Sequence, residues 1–132
     1  MRYLLVDAHS VIFSWPELHD LHRRNSLLAR EDLVRRLTAY QDSTGVRVVV
    51  VFDGKGVRSS SETVPGGIQV FYSGAANTAD EIVERLAAKY AGEHDITVAT
   101  NDRLEQQTVI TFGGFAISVD GLRKLLDEAD RD

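Results

Sequence analysis

Apolar residues follow two rhythms along the chain, one suited to strands and one to helices. Arg2 to Val6 is a short apolar run ending at Asp7, which predicts a buried strand feeding a loop. Ser14-Trp15-Pro16-Glu17 then predicts a helix start, because proline is tolerated at the first helical position, where its missing N–H would be unpaired anyway. Leu18 and Leu21 continue that short helix, and Arg23-Arg24-Asn25-Ser26 breaks it. A longer helix is predicted from about Arg30 to Asp42. Leu33, Val34, Leu37 and Tyr40 share one of its faces, with Arg30, Glu31, Arg35 and Arg36 on the other. Gly45 supplies the C-terminal glycine.

Val46 to Phe52 is β-branched through its middle and apolar throughout apart from Arg47, the pattern of a central strand covered on both faces, and it ends in Asp53-Gly54. From Lys55 to Gly67 the composition turns to Gly, Ser, Arg and Pro without periodicity, which predicts a mobile loop. Ile68 to Tyr72 returns to strand character. Thr78-Ala79-Asp80-Glu81 is a capping box opening a helix whose buried face carries Ile82, Val83, Leu86, Ala87 and Tyr90. Ile96 to Ala99 predicts another strand, running into Thr100-Asn101-Asp102. Leu104 to Phe112 suits either rhythm and is read as a short helix. Gly113-Gly114 punctuates it, Phe115 to Val119 forms a last strand, and Leu122, Leu125 and Leu126 mark a terminal helix. Strands alternating with helices predict a three-layer α/β domain with a mainly parallel sheet, and 132 residues suit a single domain spanning 1–132.

Composition narrows the class. With 43% hydrophobic and 27% charged residues, the chain reads as neither a disordered tail, a coiled-coil rod nor a membrane protein. Cysteine is absent, which excludes a disulfide scaffold, a zinc ribbon and a thiol nucleophile and fits a cytoplasmic location. The N-terminal stretch is interrupted by Asp7 before a signal-peptide core can form. A formal net charge of -5 excludes the global basicity of a passive nucleic-acid binder, so any RNA contact must use a local patch.

Three of the apolar runs lead to an aspartate: Asp7, Asp53 and Asp102. In a parallel sheet the carboxyl ends of the strands share one edge, so these carboxylates are expected to converge, and Asp80, in the first turn of a following helix, reaches the same edge. Each residue also has a purely local explanation. Aspartate after a strand is a common cap or turn residue, Asp80 suits a helix N-terminal dipole, and Asp102 can cap a helix with Glu105 as its box partner. All four together are harder to explain locally, because clustered carboxylates raise one another's pKa unless a cation compensates. Hard oxygen ligands without cysteine or an HExxH motif favour magnesium or manganese over zinc. Such a site suits hydrolysis of a phosphodiester.

The strings LLVDAHSVIFSWPEL, AYQDSTGVRVVVVFDG, TADEIVERLA and VATNDRLEQ, in this order from about Tyr3 to Gln106, resemble the YacP-like branch of the NYN domain family, among the PIN-like metal-dependent ribonucleases. The resemblance implies a PIN-like α/β/α fold and an acidic site using Mg2+ or Mn2+. It also implies endoribonuclease activity, in some relatives on ribosome-associated mRNA. Segment by segment it places Asp7, Asp53, Asp80 and Asp102 on the family's acidic positions. Relatives usually carry asparagine where this chain has Ser10, and a single hydroxyl offers less than an amide's donor and acceptor. The similarity fades after Gln106.

Ser10, Lys55, Arg58 and Asn101 are candidate substrate contacts, Lys55 and Arg58 because their segment leaves directly from Asp53. Arg23, Arg24 and Arg103 are weighed as phosphate contacts against a solvated surface. Trp15 reads as a partly buried anchor rather than a base-stacking residue, and His19 and His22 as surface residues lacking a third metal ligand. His9 is a minor acid–base candidate. The competing function is a catalytically silent RNA- or ribosome-binding module. A phospho-accepting receiver would need an acidic pair after the first strand, and a haloacid-type phosphatase an aspartate where His9 stands.

Overall fold

Strand β1 (Arg2–Asp7) runs directly into helix α1 (Ala8–Ser14), where a loop was expected. The helix forms because Ala8, Val11 and Ile12, at helical spacing, bury one face despite the polar His9 and Ser10 between them. The computed structural model describes residues 1–56, 60–63, 67–74 and 78–130, with side chains at 55, 56 and 60–63 outside the description. Helix α2 (Pro16–Arg24) follows with proline in its first turn. The predicted break after Arg23 is a cap rather than a loop. The Asn25 side chain accepts from the backbone N–H groups of Leu27 and Leu28, so α3 (Ser26–Thr44) starts earlier than its apolar stripe suggests. It ends at Gly45, whose left-handed φ of 77° closes the helix.

Strand β2 (Arg47–Gly56) continues past Phe52, and a further strand, β3 (Ser60–Thr63), lies within the segment expected to be a loop. β3 pairs antiparallel with β4 (Gln69–Gly74) at the sheet edge, where backbone pairing rather than an apolar face sustains the short polar sequence Ser-Ser-Glu-Thr. The mobility expected of Lys55 to Gly67 falls mostly on residues outside those described. Helix α4 (Ala79–Tyr90), strand β5 (Asp95–Ala99), helix α5 (Arg103–Thr111), strand β6 (Phe115–Ile117) and helix α6 (Val119–Asp130) complete the order. The ambiguous segment after Asp102 is thus helical.

The sheet order is β3-β4-β2-β1-β5-β6, and every pairing except β3 with β4 is parallel. Period-two alternation sorts its side chains into two layers of core. Leu4, Val6, Val48, Val50 and Phe52 pack with residues of α1, α2, α3 and α6. Leu5, Val49, Val51, Ile96 and Val98 pack with Ile82, Val83 and Ala87 of α4 and Val109 of α5. Coverage of both faces explains the unbroken valine run. Trp15 is buried, and its indole N–H donates to the Val119 carbonyl at 3.1 Å, which makes it a core anchor. From β1 the chain builds outward through β2 and β4, then returns to β1's other side for β5. That reversal opens a crevice at the carboxyl ends of β1 and β5. Among the described residues, no helix is long and apolar enough to cross a membrane.

Candidate metal centre

Asp7 is the last residue of β1 and stands at the N-cap of α1, yet its side chain makes no capping hydrogen bond. Its Oδ2 instead accepts from the hydroxyls of Ser10 at 2.8 Å and Thr100 at 3.0 Å. Those hydroxyls are themselves held by backbone: Asn101 N–H donates to Ser10 Oγ and Asp102 N–H to Thr100 Oγ1. The carboxyl ends of β1 and β5 are thereby tied together through one buried carboxylate, 4% exposed.

Glu105, in the first turn of α5, is 1% exposed, and among the described residues no donor reaches either of its carboxyl oxygens. One ligand atom from each of Asp7, Asp80 and Glu105 lies within 4.8 Å of the others. Burial first, then the neighbouring Asp80 carboxyl, then the charges of Asp7, Asp80 and Asp102, push the Glu105 carboxyl up to about 10. Glu84 is also pushed up, by burial and then by Asp80, Asp102 and Glu81. A buried carboxyl without donors is costly in its charged form, and a cation removes that cost. Asp7, Asp80 and Glu105 therefore form an acidic cluster that could hold a divalent metal, with oxygen-only donors suited to a hard ion.

A cavity of about 340 Å³ opens beside the cluster, and Asp7, Asp53, Asp80 and Asp102 all line it, with Ser10 and His9 on its wall. The outer two aspartates are differently engaged. Asp53 is exposed and accepts from Ser73 Oγ at 3.1 Å, while Asp102 caps α5, accepting from the N–H groups of Leu104 and Glu105. On the purely local reading of Asp102, Glu105 would complete a capping box with it. It turns inward instead, on the buried face it shares with Val109 one turn later. That pairing was the available signal: a glutamate spaced i,i+4 from an apolar core position is placed to be buried.

The other candidate residues are dispersed. Asn101 is not among the cavity-lining residues; its amide donates to Ser14 Oγ and accepts from Val119 N–H, both at 3.1 Å, tying the β5–α5 turn to α1 and α6. The Lys55 side chain and all of Arg58 lie outside the described residues. Arg23, Arg24 and Arg103 are exposed, Arg23 pairing with Asp20. Arg30, from α3, reaches the Asp53 backbone carbonyl rather than its carboxylate.

The sequence profile of the YacP-like NYN domain matches residues 4–132. YacP of Bacillus subtilis (strain 168) is 35% identical over 132 residues, covering 98% of this chain and 76% of that protein. The crystal structure of Rae1 (YacP) from Bacillus subtilis superposes with a TM-score of 0.81 at 35% identity, over 99% of this chain and 76% of the other. A tryptophan-to-leucine variant of it gives 0.82 at 33% identity, over 98% and 76%.

Proposed function

Because the chain belongs to the YacP-like NYN domain family, we propose that it is a metal-dependent endoribonuclease hydrolysing phosphodiester bonds in RNA, mRNA on the ribosome included. The observation that carries this reading is Glu105, buried with no donor among the described residues and gathered with Asp7 and Asp80 at the crevice between β1 and β5. In this proposal Asp7, Asp80 and Glu105 hold a Mg2+ or Mn2+ ion, while Asp53 and Asp102 border the place where substrate and water enter. When bound, the cation supplies the positive charge that a phosphodiester and an attacking water both need in an otherwise anionic pocket. The chain's own groups do the positioning. Ser10 and Thr100 orient the Asp7 carboxylate, and Ser73 steadies Asp53. Lys55 and Arg58 are proposed to meet the RNA backbone, with the protein acting in the cytoplasm.

Ser10 supports an enzyme rather than a silent binding module. A hydroxyl replaces the family's usual asparagine, yet it donates to Asp7 and accepts from Asn101, so the carboxylate keeps a partner on its own helix. The test is cleavage of single-stranded RNA by the purified protein with manganese or magnesium against an EDTA control. Cleavage is expected only with metal. RNA binding without cleavage under any divalent ion would leave the silent module standing and sink the nuclease.

A further inference from the structure

Three of the chain's four histidines do not scatter over the surface; they surround one phenylalanine. The Phe13 ring centroid lies 4.4 Å from that of His9, with the planes tilted by 33°, and 5.2 Å and 5.0 Å from those of His19 and His22. Helical spacing explains the gathering. His9 and Phe13 stand one turn apart on α1, His19 and His22 three residues apart on α2, and the corner at Trp15 packs the two helices together. Phe13 nevertheless remains 46% exposed. His9, at the inner end of the cluster, also forms part of the wall of the acidic cavity.

An uncharged ring packed against a histidine that lines the acidic cavity is poorly suited to an anion. It suits a flat, polarisable group that gains from burying its face, and a nucleobase is such a group, because every base has a π-face whatever its sequence. We propose that Phe13, framed by His9, His19 and His22, is a stacking platform for one unpaired base of a single-stranded RNA whose neighbouring phosphate enters the acidic cavity. The course of the strand rests on the nuclease reading above; the base contact does not. The platform also meets the charge problem of this chain. With a net charge of -5 and an acidic pocket, stacking adds affinity that electrostatics cannot.

The test uses fluorescence anisotropy with a fluorescein-labelled dodecamer of adenylate residues in EDTA, and cleavage of the same oligomer in manganese. Phe13→Ala is expected to weaken binding about tenfold with an unchanged salt dependence, since no charge is removed. Phe13→Trp should keep wild-type affinity, and both variants should melt within a few degrees of wild type. On a dodecamer lacking all bases, Phe13→Ala should change nothing. Four results would overturn the platform: no measurable binding of the adenylate dodecamer by wild type, affinity of Phe13→Ala within about twofold of wild type, an equal loss on the abasic strand, or a Phe13→Trp protein as weak as Phe13→Ala. Wild type that cleaves while Phe13→Ala binds and cleaves equally well rejects the platform alone. Binding that depends on Phe13 without any cleavage rejects the nuclease alone.

Discussion

Asp7 and Asp102 begin from the same local circumstances and end in different roles. Each stands at the N-cap of a helix, Asp7 as the last residue of a buried strand and Asp102 shortly after one. Asp102 uses its carboxylate as a cap, accepting from the N–H groups of Leu104 and Glu105 at 2.9 and 3.3 Å. Asp7 makes no capping bond, because two hydroxyls, one from its own helix and one from the end of β5, draw its Oδ2 into the crevice. Helix α1 manages without a cap because Ala8, Val11 and Ile12 are buried in the core. A strand-end aspartate thus becomes a cap or a member of an acidic cluster according to which donors the fold brings to it.

The sharpest way to break this contrast is Asp7→Asn. The substitution preserves shape while removing a charged ligand, so manganese-dependent RNA cleavage should fall by about 100-fold or more. Stability in EDTA should hold or rise, because repulsion within the carboxyl cluster decreases. Melting of both proteins with EDTA and with manganese checks this; clear destabilisation in EDTA joined to an unchanged manganese response would make Asp7 a structural residue like Asp102.

Glu105 sharpens the comparison through pH. Its folded-state pKa, raised to about 10, lies above its unfolded value, so the folded protein binds more protons at neutral pH. Stability therefore declines as pH rises from the unfolded value of about 4.5 towards 10. In EDTA the melting temperature should drop by about 10–15 °C between pH 5 and pH 8 through this group, and Glu105→Gln should remove that slope. Identical pH profiles for the two proteins would show that Glu105 does not titrate as its burial requires. If the cluster holds metal as proposed, the ion displaces the Glu105 proton, so manganese affinity of the wild type should increase with pH over the same interval.

The smallest effect belongs to the cap. Asp102→Ala should cost about 1 kcal/mol whether or not metal is present, since two backbone donors of α5 lose their partner, while Asp102→Asn should restore most of it. Chemical denaturation in EDTA measures both. A fully stable Asp102→Ala protein would erase the distinction between the two aspartates.

Much of this molecule is legible in local pattern. The β-branched run at Val46 to Phe52, the capping box at Thr78 and the glycine at Gly45 each specify an element through interactions among near neighbours. The placement of Asp7, Asp53, Asp80 and Asp102 around one cavity follows from strand direction alone, because parallel strands share an edge. Tertiary structure decided the rest. Thr100 meets Asp7 across 93 residues of sequence, and no local periodicity encodes such a pairing. Asn101 looks like a substrate contact beside Asp102, yet its amide is spent on Ser14 and Val119, from two other elements. β3 exists because β4 offered it an open edge, which a polar segment cannot announce by itself. Glu105 carries the strongest case, since its sequence neighbours describe a capping residue and only the packing of α5 against the sheet turns it inward. Hydrophobic rhythm selects which face of an element is buried; which polar groups then meet across the buried faces depends on contacts between strands and helices distant in the chain.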